Sequence, residues 1–147
     1  ESQRPDSEIR KGPDNLWSGV KDTYFLIECK SEVNLARVAI SKDEAGQMNN
    51  HCGWFESEYG KGHNVKRILI IPTNVLATNA DFTHEVHVMN DECLTQFKNN
   101  FSKFIHEFKE YDLKDMTTDK IHSFLVSNRL TIEDLKKCYT VHVIREK

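Results

Sequence analysis

The sequence predicts an α/β protein, with a mixed central sheet and helices on its faces. Three observations carry that expectation. Tyr24 to Ile27 is apolar without alternation, as in a central strand buried on both faces. Ala45, Met48, Cys52 and Phe55 recur at steps of three and four, the stripe of a helix lying on a sheet. A hairpin, a helix and a strand, followed by further helices and a closing strand, give the order β-β-α-β-(β)-α-α-α-β.

Length and composition fit this class. A chain of 147 residues reads as one domain, able to bury roughly two-thirds of its unfolded surface. Apolar residues make up 38% and charged residues 29%, a soluble globular balance. No apolar run reaches membrane-spanning length, and the polar start ESQRPDSEIRKG has no signal-peptide core. Cys29, Cys52, Cys93 and Cys138 are widely spaced, with no CxxC pair. They read as reduced thiols of a cytoplasmic protein and not as a zinc site. A net charge of -3, mixed along the chain, argues against a strongly basic nucleic-acid clamp.

The elements follow in order. Residues 1 to 12 read as a loop carrying Arg4, Arg10 and Lys11, and the abrupt start reads as a piece of a longer polypeptide. Residues 14 to 20 and 23 to 31 read as a hairpin turning near Lys21. After a loop over 32 to 40, Ser41 opens a helix with Glu44 as its capping-box partner, ending near Gly60-Lys61-Gly62. A second stripe on that helix, Asp43, Gln47, Asn50 and Trp54, is polar with an aromatic end. Arg67 to Ile71 is a short strand stopped by Pro72, residues 73 to 84 are a loop, and Val86 to Met89 is a further short strand. Asn90 or Asp91 caps a long helix to about Tyr111, whose Leu94, Phe97, Phe101, Phe104, Ile105 and Phe108 form a core face. Helices at 118 to 127 and after Thr131 precede a closing strand, Tyr139 to Arg145.

The apolar strand ends in Glu28-Cys29-Lys30. Alternation puts Glu28 and Lys30 on one side, and the hairpin brings Asp14 to the level of Glu28. Two carboxylates and a lysine then share one patch, which suits a hard cation and a phosphate. Phosphodiester hydrolysis needs charge neutralisation, a positioned water and stabilisation of the leaving oxygen. Taken singly, Glu28 and Lys30 read as a surface ion pair and Asp14 as a turn residue. Thr83 to His87 suggests a metal motif, but HExxH is not present and a surface segment is the better reading. His51 beside Cys52 suggests a thiol nucleophile, which adjacent helix positions do not support.

Pro13-Asp14 followed after a hairpin by Glu28-Cys29-Lys30 resembles the PD-(D/E)XK nuclease superfamily. GPDNLW, FLIECK, ISKDEAGQMNNHCGWF, RILIIP, MND and YTVHVI are together similar to the nuclease-like domain at the C-terminal end of some bacterial superfamily 2 helicases of defence-type loci. The resemblance implies a restriction-endonuclease-like fold and Mg²⁺- or Mn²⁺-dependent cleavage of DNA, with a helicase domain as associate. It implies that Asp14, Glu28 and the Cys29 carbonyl bind metal, that Lys30 is the catalytic lysine and that Gln47 assists. Lys11, Ser41, Lys42, Asn50 and Trp54 are the implied nucleic-acid contacts. The family's acid on a helix ahead of the PD strand is absent or lies in a part of the polypeptide outside this sequence, since Glu1 and Glu8 lie in the expected loop. The alternatives are a catalytically silent docking module of the same fold and an interaction domain, a homodimer, built on the Phe-rich helix.

Overall fold

The computed structural model describes residues 2–9, 12–19, 21–30 and 37–146. It is α/β and falls into two compact units, Glu1–Asn90 with Val141–Lys147, and Asp91–Thr140. The expected contact Lys11 lies outside the described residues, as do Glu1, Arg10 and Val20.

The first unit holds a mixed six-stranded sheet. Its strands are β1 (Ser2–Gln3), β2 (Asn15–Ser18), β3 (Thr23–Cys29), β4 (Asn64–Ile70), β6 (His87–Met89) and β7 (Val141–His142), in the spatial order β1-β2-β3-β4-β6-β7. β3 pairs antiparallel with β2 and parallel with β4, while β4 pairs parallel with β6. A central position with neighbours on both edges explains why β3 is apolar without alternation. The hairpin turn places Lys21 and Asp22 in left-handed backbone, φ 52° and 57°, which matches strand twist in tight hairpins. The register Asn15↔Ile27 carries Asp14 to the level of Glu28, as expected.

Helix α2 (Lys42–Tyr59) crosses from β3 to β4. Its capping box is formed, with the Glu44 N–H donating to Ser41 Oγ at 3.3 Å and the Ser41 N–H donating to Glu44 Oε2 at 2.8 Å. Gly60, at φ 89°, ends it. Ala45, Met48, Cys52 and Phe55 are the buried stripe and join Leu16, Leu26, Leu69 and Val88 of the sheet in one core.

Several expectations change. The leading stretch is not all loop: β1 edges the sheet and a short helix, α1 (Pro5–Ile9), follows it. The strand expected at Arg67 begins at Asn64, because pairing with β3 extends it. The expected loop after Pro72 contains β5 (Val75–Leu76), which pairs with β8 (Ile144–Arg145) in a separate two-stranded sheet. Tyr139 to Arg145 is not one strand. Tyr139 closes helix α5 (Ile132–Tyr139), and the rest divides between β7 and β8. Residues 83 to 87 are not a plain surface segment, since His87 is only 5% exposed.

The second unit contains α3 (Asp91–Lys109), α4 (Thr118–Ser127) and α5. The phenylalanines of α3 are not core. Phe101 is 48% exposed, Phe97, Phe104 and Phe108 are half-buried, and Cys93 is the residue of α3 that is buried. Helical period says which face is apolar, and only tertiary contacts say whether it is covered. Within this unit the fully buried Tyr139 donates its hydroxyl to the Arg129 carbonyl at 2.8 Å and accepts from Asn100 Nδ2 at 2.7 Å. Among the described residues no helix is long and apolar enough to cross a membrane.

Candidate functional site

The charged end of β3 is where three elements of the first unit meet. Leu26 shares the α2-facing core, so alternation turns Glu28 and Lys30 toward α2 as well. Leu16, paired with Leu26, fixes Asp14 on that same face two residues earlier. Lys30 Nζ donates to Glu28 Oε1 at 2.7 Å and also to Gln47 Oε1 on α2. Asp14 Oδ2 accepts from the Cys29 N–H at 2.6 Å, and the Asp14 N–H donates to Glu28 Oε2 at 3.4 Å. Asp14, Glu28, Lys30 and Gln47 are therefore brought together as expected from the sequence.

Cys29 contributes backbone. Burial first, then the negative charges of Asp14 and Glu28, push its thiol up to about 11, so it stays protonated at neutral pH. Its amide points at Asp14, and in a strand the carbonyl of the same residue leaves the same edge.

Two residues join the site that the sequence reading did not place there. His51, one turn after Gln47, puts Nδ1 3.1 Å from Glu28 Oε2. The distance is that of an ion pair, but the alignment falls short of a hydrogen bond, so Nδ1 has none among the described residues. The signal available was the four-residue step from Gln47, which places both on one helix face. Asp6, on α1, has a buried Oδ1 with no hydrogen-bond partner among the described residues, and its charge reaches Asp14. The helix expected to be absent ahead of Pro13-Asp14 is thus present as α1, and it carries Asp6. A five-residue helix gives too little period to read from sequence.

The electrostatics divide the carboxylates. Glu28 is 2% exposed, and burial alone would raise its pKa. His51 and Lys30 outweigh burial and hold it below its ordinary value. Asp14 is raised, by burial first and then by Glu28 and Asp6, although the Cys29 amide and Lys30 oppose this. Asp14 and Glu28 crowd each other, with Asp6 adding negative charge near Asp14, and paired carboxylate oxygens are donors of the kind a hard divalent cation takes.

The remaining expected contacts have visible structural partners or lie open. Ser41 is the helix cap, and Lys42 and Asn50 are exposed. The half-buried Trp54 ring packs over Gly12, where a Cβ would come within 2.9 Å of both Trp54 Cε3 and Pro5 Cβ. Gly12 also has φ 87°, so position 12 admits glycine on two counts. No family model, no curated protein and no solved structure matches this chain.

Proposed function

We propose that this chain is a metal-dependent nuclease domain of the restriction-endonuclease-like fold that hydrolyses DNA phosphodiester bonds. The carrying observation is Lys30, its ammonium held between Glu28 and Gln47 beside Asp14. A lysine fixed from two sides next to crowded carboxylates is poorly explained by packing, because burying charge is costly unless each partner is placed. Asp14 and Glu28 would hold Mg²⁺ or Mn²⁺, with the Cys29 carbonyl and Asp6 as further oxygen donors. The ion, when bound, would neutralise the scissile phosphate and acidify a water.

The chain's own residues do the rest. Lys30 offers N–H donors to a water or to a developing negative oxygen, and Gln47 holds the ammonium in place. His51 offsets the buried charge of Glu28, keeping that carboxylate ionised. The net charge of -3 fits a domain whose hold on DNA is reinforced by a partner, for which a helicase domain is the proposed class.

Plasmid cleavage tests this reading with Mg²⁺, Mn²⁺ and EDTA in parallel. Cleavage needs the metal, and Lys30→Ala and Asp14→Ala each lower the rate on the order of 100-fold or more with the circular dichroism spectrum unchanged. Variants cutting as fast as the parent sink the proposal. One observation favours a second reading, a catalytically silent docking module: both Glu28 oxygens already face side-chain nitrogens, of Lys30 and His51. Calorimetric titration with Mn²⁺ separates the two, since the silent module takes up no heat of binding that depends on Asp14.

A further inference from the structure

The β6–β7 edge of the same sheet carries a second cluster with different chemistry. His87 of β6 and His142 of β7 are direct cross-strand partners, with ring centroids 4.7 Å apart. Glu85, two residues before His87, brings Oε1 to 3.5 Å from His87 Nε2. One ligand atom from each of the three residues lies within 4.8 Å of the others. Around a tetrahedral zinc with bonds of about 2.0–2.2 Å, ligand atoms sit roughly 3.3 Å apart, so closure needs only small side-chain adjustment. The adjustment is available. His87 is buried and fixed by the strand, whereas Glu85 and His142 stand at the exposed surface. The backbone under His142 is held in turn, since its carbonyl accepts from Asn74 Nδ2 at 2.8 Å and the Ile144 N–H donates to the Asn74 carbonyl at 2.9 Å.

We propose that Glu85, His87 and His142 form a binding site for a divalent transition-metal ion of the zinc class, separate from the carboxylate site. Two imidazoles and one carboxylate are borderline donors that select Zn²⁺, Co²⁺ or Ni²⁺ over Mg²⁺, whose preference is for oxygen alone. Three protein ligands leave a fourth position for water. The connectivity gives the ion a structural task. β6 leads into residues 91–140 and β7 leads out of them, so an ion shared by His87 and His142 clips together the two ends of that long excursion. Closing a long loop in this way restricts the unfolded chain and couples metal binding to folding.

The test titrates the full, metal-stripped chain with Zn²⁺ by calorimetry. A zinc binds this cluster, and His142→Ala and Glu85→Gln each weaken that binding by more than the roughly 10- to 100-fold that loss of an outer-sphere partner costs. Both positions are exposed, which avoids the folding risk of replacing buried His87. The Asp14→Asn chain keeps this zinc, because the two sites share no residue. Zn²⁺ raises the melting temperature of the parent but not of His142→Ala, and bound Co²⁺ gives d–d bands without thiolate charge transfer. No zinc bound by the parent overturns the proposal. Equal affinity in His142→Ala and Glu85→Gln, or a thiolate band with Co²⁺, overturns it as well.

Discussion

Glu28 and Asp14 sit side by side yet respond to pH with opposite signs. Glu28 binds its proton less tightly in the folded chain than unfolded, so its contribution is complete above its ordinary value of 4.5 and is lost as pH falls through the lower folded value. Asp14 binds its proton more tightly when folded, so stability falls as pH rises from 3.8 through its raised value. Urea midpoints measured across the acid range should therefore rise less steeply with pH in Glu28→Gln than in the parent. Asp14→Asn should remove the opposing fall and leave a steeper rise. Asp6→Asn deletes a charge that raises Asp14, so the Asp14 carboxyl should titrate lower by NMR. An unmoved Asp14 titration would show that Asp6 does not belong to the site. Asp14, Glu28 and Lys30 could be seen in the sequence because strand alternation and a hairpin are short-range rules. Asp6 could not, and His51 only through its four-residue step from Gln47, because their value lies in which carboxylate they face.

Helix α2 is the element whose local code is complete. Capping box, buried stripe and terminal glycine all stand in the sequence, and each occupies its expected place. Ser41→Ala removes the cap and should cost about 1 kcal/mol in urea unfolding. Gly12→Ala forces both a left-handed backbone and a Cβ against the Trp54 ring, and should cost about 2 kcal/mol or more. A midpoint unchanged in Gly12→Ala would mean the Trp54 contact is loose. The closing stretch YTVHVI shows the reverse case. Its β-branched composition suits a strand, yet Tyr139 serves α5 by donating its hydroxyl to the Arg129 carbonyl. Composition cannot mark that boundary, because what competes for Tyr139 is a partner ten residues away.

At the scale of the whole molecule, the two compact units should differ in local stability. The sheet unit buries β3 and β4 against a continuous core, while α4 in the other unit buries none of its described residues. Hydrogen exchange should find the amides of α4 opening at lower free energy than those of β3 and β4. Equal protection would show one cooperative block. By itself the sequence determined what local physics controls: the α/β order, the hairpin, the α2 helix and the grouping of Asp14, Glu28 and Lys30. Period, capping and turn chemistry act over a few residues, so a few residues suffice to read them. Tertiary structure alone decided which strands pair, that Phe101 stays exposed, that Asp6 and His51 reach the carboxylates, and that His142 lies opposite His87. These outcomes depend on contacts between segments far apart in the chain, and no local pattern carries the energy of a contact whose partner it does not contain.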